Sequence, residues 1–336
     1  MTKKLLLCLV LLITSFPVLA QEQEGISILP GTVRRATAVR QKPNATQTVI
    51  KRLPANATVR VLSPEPRNGF WRVILERGQQ GYVLATDLEI AEELMNAAAA
   101  GPMAAAASPP CADSLGECEA NGCATPTSKR GLFNKAKNHQ PTGTNARSLS
   151  FADMKSLQNQ ADEVVEQGTE LNQEQRDSLS NFTVTTGKVS EGRLVKLTGF
   201  IAKGLDPHPN TGESVNCRLK TPVNNDFHIT LALKSSHTEF QGVVVEMIPH
   251  NRPDGWTIER LKKVKQKALL VMAIGNLFYD NDHVVNSDPS DNLTGQPKRF
   301  SLWEIHPITK FFVCQRANNA CAPSVTSHWT KLEDFQ

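Results

Sequence analysis

The sequence predicts a mainly β protein, with two small β-barrels joined by a long linker that is partly helical. Three observations carry this. Short β-branched runs separated by Pro, Asn and Gly turns fill residues 29–91. From residue 92 the composition breaks toward Ala, Pro, Ser and Asn. Strand periodicity then returns at residue 192 and holds to 315, with one helical segment inside it. The chain has 336 residues, 40% hydrophobic and 21% charged, which suits two modest domains better than one large one. It is too polar for a multi-spanning membrane protein and too apolar to be wholly disordered.

The first twenty residues read as a secretory signal. Lys3 and Lys4 are the basic start, Leu5 to Ile13 is the apolar run, and Val18-Leu19-Ala20 is the cleavage site, so the mature chain is expected to begin at Gln21. The run is too short for a permanent bilayer anchor, and no later segment is long enough. Cys8 follows Leu7, where lipidation needs a small residue, so no lipid anchor is expected. The expected location is exported, periplasmic or extracellular. Without Lys3 and Lys4 the chain is close to neutral, which argues against an electrostatic nucleic-acid binder.

Six cysteines remain: Cys111, Cys118, Cys123, Cys217, Cys314 and Cys321. An even number in an exported chain predicts disulfides, and no Cys-x-x-Cys pair suggests zinc. Three of the six fall in the linker, so complete pairing requires at least one bond from the linker to the C-terminal region.

In the N-terminal region Thr37 to Arg40, Thr58 to Leu62 and Trp71 to Leu75 are expected strands. Pro43-Asn44, Pro54-Ala55-Asn56 and Arg67-Asn68-Gly69 are the turns between them. Together with Leu53-Pro54 and the closing Gly81-Tyr82-Val83, this pattern resembles the bacterial SH3-like domain. Tyr82 stands where that family usually has Trp. The resemblance covers about 60 residues and implies binding to cell-wall peptide or to an envelope protein, without catalysis. Phe70, Trp71 and Tyr82 are the candidate ligand-binding aromatics, although Trp71 reads more readily as core.

Residues 92–149 are expected to be a disordered linker and residues 150–180 a helical connector. Ser150 is its N-cap, with Asp153 completing a capping box, and Met154, Leu157, Ala161 and Val164 recur at helical spacing toward Gly168. A second short helix is expected over 172–179. Residues 192–315 then give three strands (195–201, 226–233 and 242–248), a helix (257–263) and two strands (267–280 and 300–314). That is the order of an OB-fold, a five-stranded barrel. Residues 316–336 are left as a C-terminal tail.

The C-terminal region also resembles a family of exported bacterial domains. The resemblance rests on Asn225-Asp226-Phe227-His228, Val244 to Pro249, Gly275 to Asp280 with His283, and above all Leu302-Trp303-Glu304-Ile305-His306-Pro307-Ile308-Thr309. It spans roughly residues 194–314 and implies common descent without implying an activity.

Strand alternation puts Asp226, His228 and Thr230 on one face, and Leu302, Glu304 and His306 on one face. Glu246 interrupts an apolar strand, where a carboxylate needs a partner. Asp226, His228, Glu246, Glu304 and His306 are therefore expected to form one polar cluster. Its simplest role is structural. As a catalytic site it would use Asp226, His228, Glu304 and His306, and as a metal site His228, Glu246 and His306. No metalloprotease, serine-hydrolase or phosphate-loop motif is present. For nucleic acid, Phe278 and Tyr279 lie beside acidic residues, and the run from Arg260 to Lys267 reads as a solvated face. The expected function is a non-catalytic binding protein of the cell envelope with no cofactor. The alternative is a hydrolase or a divalent-metal-binding protein with its site in the C-terminal barrel.

Overall fold

The computed structural model describes residues 28–62, 66–90, 111–293 and 295–336. The expected signal segment and the first part of the expected linker, 92–110, lie outside the described residues. Among the described residues no helix is long and apolar enough to cross a membrane.

Seven short strands form the N-terminal sheet: β1 (Leu29–Val33), β2 (Thr37–Arg40), β3 (Val49–Leu53), β4 (Thr58–Val61), β5 (Phe70–Ile74), β6 (Gln80–Leu84) and β7 (Leu88–Ile90). They pair in the order β3-β2-β6-β5-β4-β1-β7. Alternate residues face a core of Val33, Val39, Val59, Val61, Trp71, Val73, Val83 and Leu88. Asn68 and Gly69 both have positive φ, at 49° and 78°, and let Arg67 and Phe70 close a two-residue hairpin.

The second region begins earlier than its composition suggests. Helix α1 (Lys129–Lys137) starts at Ser128, whose side chain accepts from the Gly131 N–H. Strand β8 (Arg147–Leu149) follows and pairs in parallel with a later barrel strand. Disulfides Cys111–Cys123 and Cys118–Cys217 fasten this segment. The expectation of a disordered linker is therefore wrong for residues 111–149, because cross-links and backbone hydrogen bonds order a segment whose apolar content alone would not. The Cys118–Cys217 bond is the expected linker-to-barrel connection. Helix α2 (Phe151–Ala161) has the expected Ser150–Asp153 capping box, and the short α3 (Gln173–Asp177) follows. α2 buries Met154 and Leu157 in the barrel's core cluster, so the connector is a brace. It stops at Ala161, short of the expected Gly168.

After the hairpin of β9 (Phe182–Val184) and β10 (Gly187–Val189) come β11 (Leu194–Ile201), β12 (His208–Pro209), β13 (Phe227–Ala232) and β14 (Gly242–Met247). Helix α4 (Ile258–Gln266), β15 (Leu270–Tyr279), β16 (Trp303–Cys314) and β17 (Trp329–Lys331) complete the chain. Five of these strands close a ring. β11 pairs with β13 and β15, β13 with β14, β14 in parallel with β16, and β16 with β15. Gly275 lies at the irregularity between β15 and β16, where a Cβ would collide with the Pro307 carbonyl. Leu197, Ile229, Leu231, Val243, Val245, Leu277, Trp303 and Ile305 belong to the core. Residues 316–336 are not a free tail. β17 pairs with β16, Cys314 bonds Cys321, and Leu332 is buried.

The two regions pack together. Leu62 and Ile74 meet Val284 and Leu293 in a small apolar cluster. Arg67 and Arg72 reach Asp291, and Gln80 donates to the Val285 carbonyl at 2.9 Å.

Candidate functional site

Both faces of β16 are buried. Trp303 and Ile305 fill the barrel, while His306 and Glu304 lie on the opposite face and are covered as well. α1 brings in part of that cover. The Lys137 carbonyl accepts from His306 Nδ1 at 2.8 Å, and His306 Nε2 lies 3.0 Å from Asp226 Oδ2 and 2.8 Å from Glu246 Oε2. Glu246 Oε1 takes His228 Nδ1 at 3.0 Å. Asn216 donates to the other oxygen of Asp226. The Lys137 ammonium stands 3.3 Å from Glu213 and 3.6 Å from Glu246.

Both ring nitrogens of His306 face acceptors only, so both carry protons and the ring is a cation. Burial and the neighbouring Lys137 oppose that charge, yet Glu246 and Asp226 push the His306 pKa up to about 10. Burial alone would raise Glu246, but Lys137 and His306 hold it well below the usual carboxylate range. Lys137 is held above its ordinary value in spite of burial, chiefly by Glu213 and Glu246. Three carboxylates, Asp226, Glu246 and Glu213, thus share two cations, His306 and Lys137.

Asp226, Glu246 and His306 have ligating atoms within 4.8 Å of one another, the usual signature of a metal site. An ion here would have to displace the His306 Nε2 proton and compete with the positive charge that Lys137 already supplies.

Glu304 does not join this cluster, although it shares a strand face with His306. Arg299 takes it instead, and the other arm of Arg299 holds Asp280 at 2.6 Å. Burial and Asp280 push Glu304 up, while His283 and Arg299 hold Asp280 down against burial. The expected single cluster is two networks, because the partners that divide it, Lys137 and Arg299, come from other segments. His228 sits at the rim, stacked on His208.

Of the candidate aromatics, Phe70 and Trp71 are buried and offer no groove. Tyr82 is buried too, with its hydroxyl on Asp291, but it also lines a cleft between the two regions. The cleft encloses about 340 Å³ and is walled by Arg72 and Tyr82 from the first region, and by Lys155, Gln158, Asp162 and Asp288 from the second. Among the described residues no cation pairs with Asp162; its carboxylate accepts from Gln158 and Gln167, each at 2.8 Å. Burial pushes its pKa up to about 6. Reading the sequence missed this cleft, since no local pattern joins residue 82 to residue 162. It also missed Lys137. The signal there was Ser128 followed by Leu132, Phe133 and Ala136 at helical spacing.

No family model matches the chain, and no curated protein matches it. Among solved structures, NlpC2 from Trichomonas vaginalis is 16% identical over 19% of this chain and 25% of its own, with a TM-score of 0.17. NlpC1 from the same organism is 14% identical over 68% of this chain and 66% of its own, also at 0.17. The chain spans less than two thirds of either, and likeness at that level supports neither fold nor function.

Proposed function

We propose that this is an exported, non-catalytic binding protein of the cell envelope, built from an SH3-like module docked on an OB-like barrel. The barrel's ring order, first-second-third-fifth-fourth with the helix between third and fourth, supports the OB-like reading. Three disulfides suit an oxidising compartment. The carrying observation is the contrast between a sealed ionic network and an open polar cleft at the module boundary. A hydrolase with its site at Asp226, His228, Glu304 and His306 needs those groups to meet substrate. Asp226, Glu304 and His306 instead meet one another or other buried residues.

The cleft volume falls at the small end of the roughly 300–1,000 Å³ typical of ligand sites. Asp162, held by Gln158 and Gln167 and without an ion pair, suits a peptide carrying a free amino group. Cell-wall peptide is the ligand proposed, with an extended segment of an envelope protein as the alternative occupant.

Co-sedimentation with purified cell-wall sacculi tests this. The protein is expected to pellet with them, and soluble wall peptide with a free amine should compete. Lys155→Ala and Asp162→Asn should release it. Release of soluble wall fragments by the protein would make it an enzyme, and failure to pellet or to bind the peptide would overturn the reading.

A further inference from the structure

His208 and His228 face each other across β12 and β13, as directly paired residues. Their rings are stacked, with centroids 5.1 Å apart and planes 26° apart. Each Nδ1 is already held. That of His208 meets the Asp206 carbonyl at 2.9 Å, and that of His228 meets Glu246 Oε1 at 3.0 Å. Both partners are acceptors, so each Nδ1 bears a proton, and in the neutral ring each Nε2 keeps its lone pair. Among the described residues no hydrogen-bond partner takes either Nε2. This distinguishes the pair from His306, whose two nitrogens both donate.

A histidine whose Nδ1–H is fixed by a carboxylate or a backbone carbonyl, with Nε2 left free, is the arrangement that metal-binding imidazoles use. Here one ring has each kind of support, and both sit at the barrel's edge, with His228 joined to the network only through Glu246 Oε1. We propose that His208 and His228 form a two-histidine site for a divalent transition-metal ion such as zinc, nickel or copper, bound through both Nε2 atoms. Zinc–nitrogen bonds of about 2.0–2.1 Å require the stacked rings to tilt toward each other. Water fills the remaining positions, so the site is open. Imidazole pairs suit these ions, and magnesium, which prefers oxygen, should not compete. The proposal does not depend on what occupies the cleft.

The test uses the full chain, stripped with a chelator and titrated calorimetrically with zinc chloride. One ion per chain is expected, with no heat from magnesium. His208→Ala should keep the wild-type melt in chelator, because that ring lies outside the network, and should lose at least about tenfold in zinc affinity. Zinc should raise the wild-type melting temperature and not that of the variant. His228→Ala should lose zinc binding as well, but it also leaves Glu246 Oε1 unpaired. A second readout therefore avoids substitution: trace nickel should broaden the ring signals of His208 and His228 first, before that of His306. Unchanged zinc affinity in His208→Ala, broadening centred on His306, equal binding of magnesium, or no binding of zinc, nickel or copper would each overturn the site.

Discussion

Glu246 is a buried carboxylate and Asp162 a half-buried one, and the molecule treats them oppositely. Glu246 has Lys137 and His306 against it and is held ionised, whereas Asp162 has only two side-chain amides and is pushed toward its neutral form. Desolvating a charge is costly, and counter-charges in good geometry offset that cost. Where the chain supplies them, as beneath α1, the charges offset one another. At the boundary between the modules it does not, and an acid is left that something from outside can complement.

The strongest way to break this comparison is to open the network. His306→Ala removes a cation from between two buried carboxylates and should cost about 3–5 kcal/mol of stability. Urea unfolding measures this, and a loss below about 1 kcal/mol would mean that water already enters the network. Next comes the cover itself. Cys118→Ala with Cys217→Ala frees the segment that carries α1, and should cost about 2–5 kcal/mol. Amide exchange should quicken in residues 129–137 while β5 and β6 keep their protection. Equal loosening of both modules would show that the bond holds more than the cover.

The network also has a pH signature. The folded His306 pKa of about 10 lies above its ordinary 6.5. The folded state therefore holds the proton more tightly. The resulting stability is complete below pH 6.5 and is lost as pH rises through about 10. Glu304, also pushed up, adds a decline of the same sign, so the informative quantity is the difference between wild type and His306→Gln. That difference should shrink steadily from near neutrality into the alkaline range. A difference that does not vary with pH would mean the imidazole is neutral in the fold.

The same contrast explains what the sequence disclosed. The barrel strands were legible because apolar residues alternate along them and a helical stretch interrupts them once, between Met247 and Leu270. Ser150 with Asp153 marked the start of α2, and Asn68-Gly69 a hairpin. Residues 111–149 were illegible because their order comes from elsewhere. Cys118 pairs with a residue 99 positions away, and Asn134 is held by the Asn121 carbonyl and the Ser214 hydroxyl. Spacing alone does not reveal such partners. The candidate site suffered the same way. Alternation placed Glu304 and His306 on one face, but their separation into two networks depends on Arg299 and Lys137.

The smallest expected effect sharpens the comparison from the side of the cleft. Asp162 has a folded pKa of about 6 against an ordinary 3.8. The folded state keeps this proton to higher pH than the unfolded chain, so Asp162 costs nothing below pH 3.8 and lowers stability as pH rises through about 6. Asp162→Asn removes the titration and leaves an amide oxygen to accept from Gln158 and Gln167. The variant should match wild type near pH 4 and exceed it near pH 8 by about 1 kcal/mol, a figure reduced because the residue is only partly buried. Urea midpoints at the two pH values supply the comparison. A saturating amine-bearing wall peptide should reverse the order near pH 8, since it stabilises only the protein that offers it a carboxylate. If Asp162→Asn is instead the less stable protein near pH 8 without peptide, then Lys155 already balances the charge. The cleft would in that case resemble the sealed network, and its claim to a cationic ligand would fall.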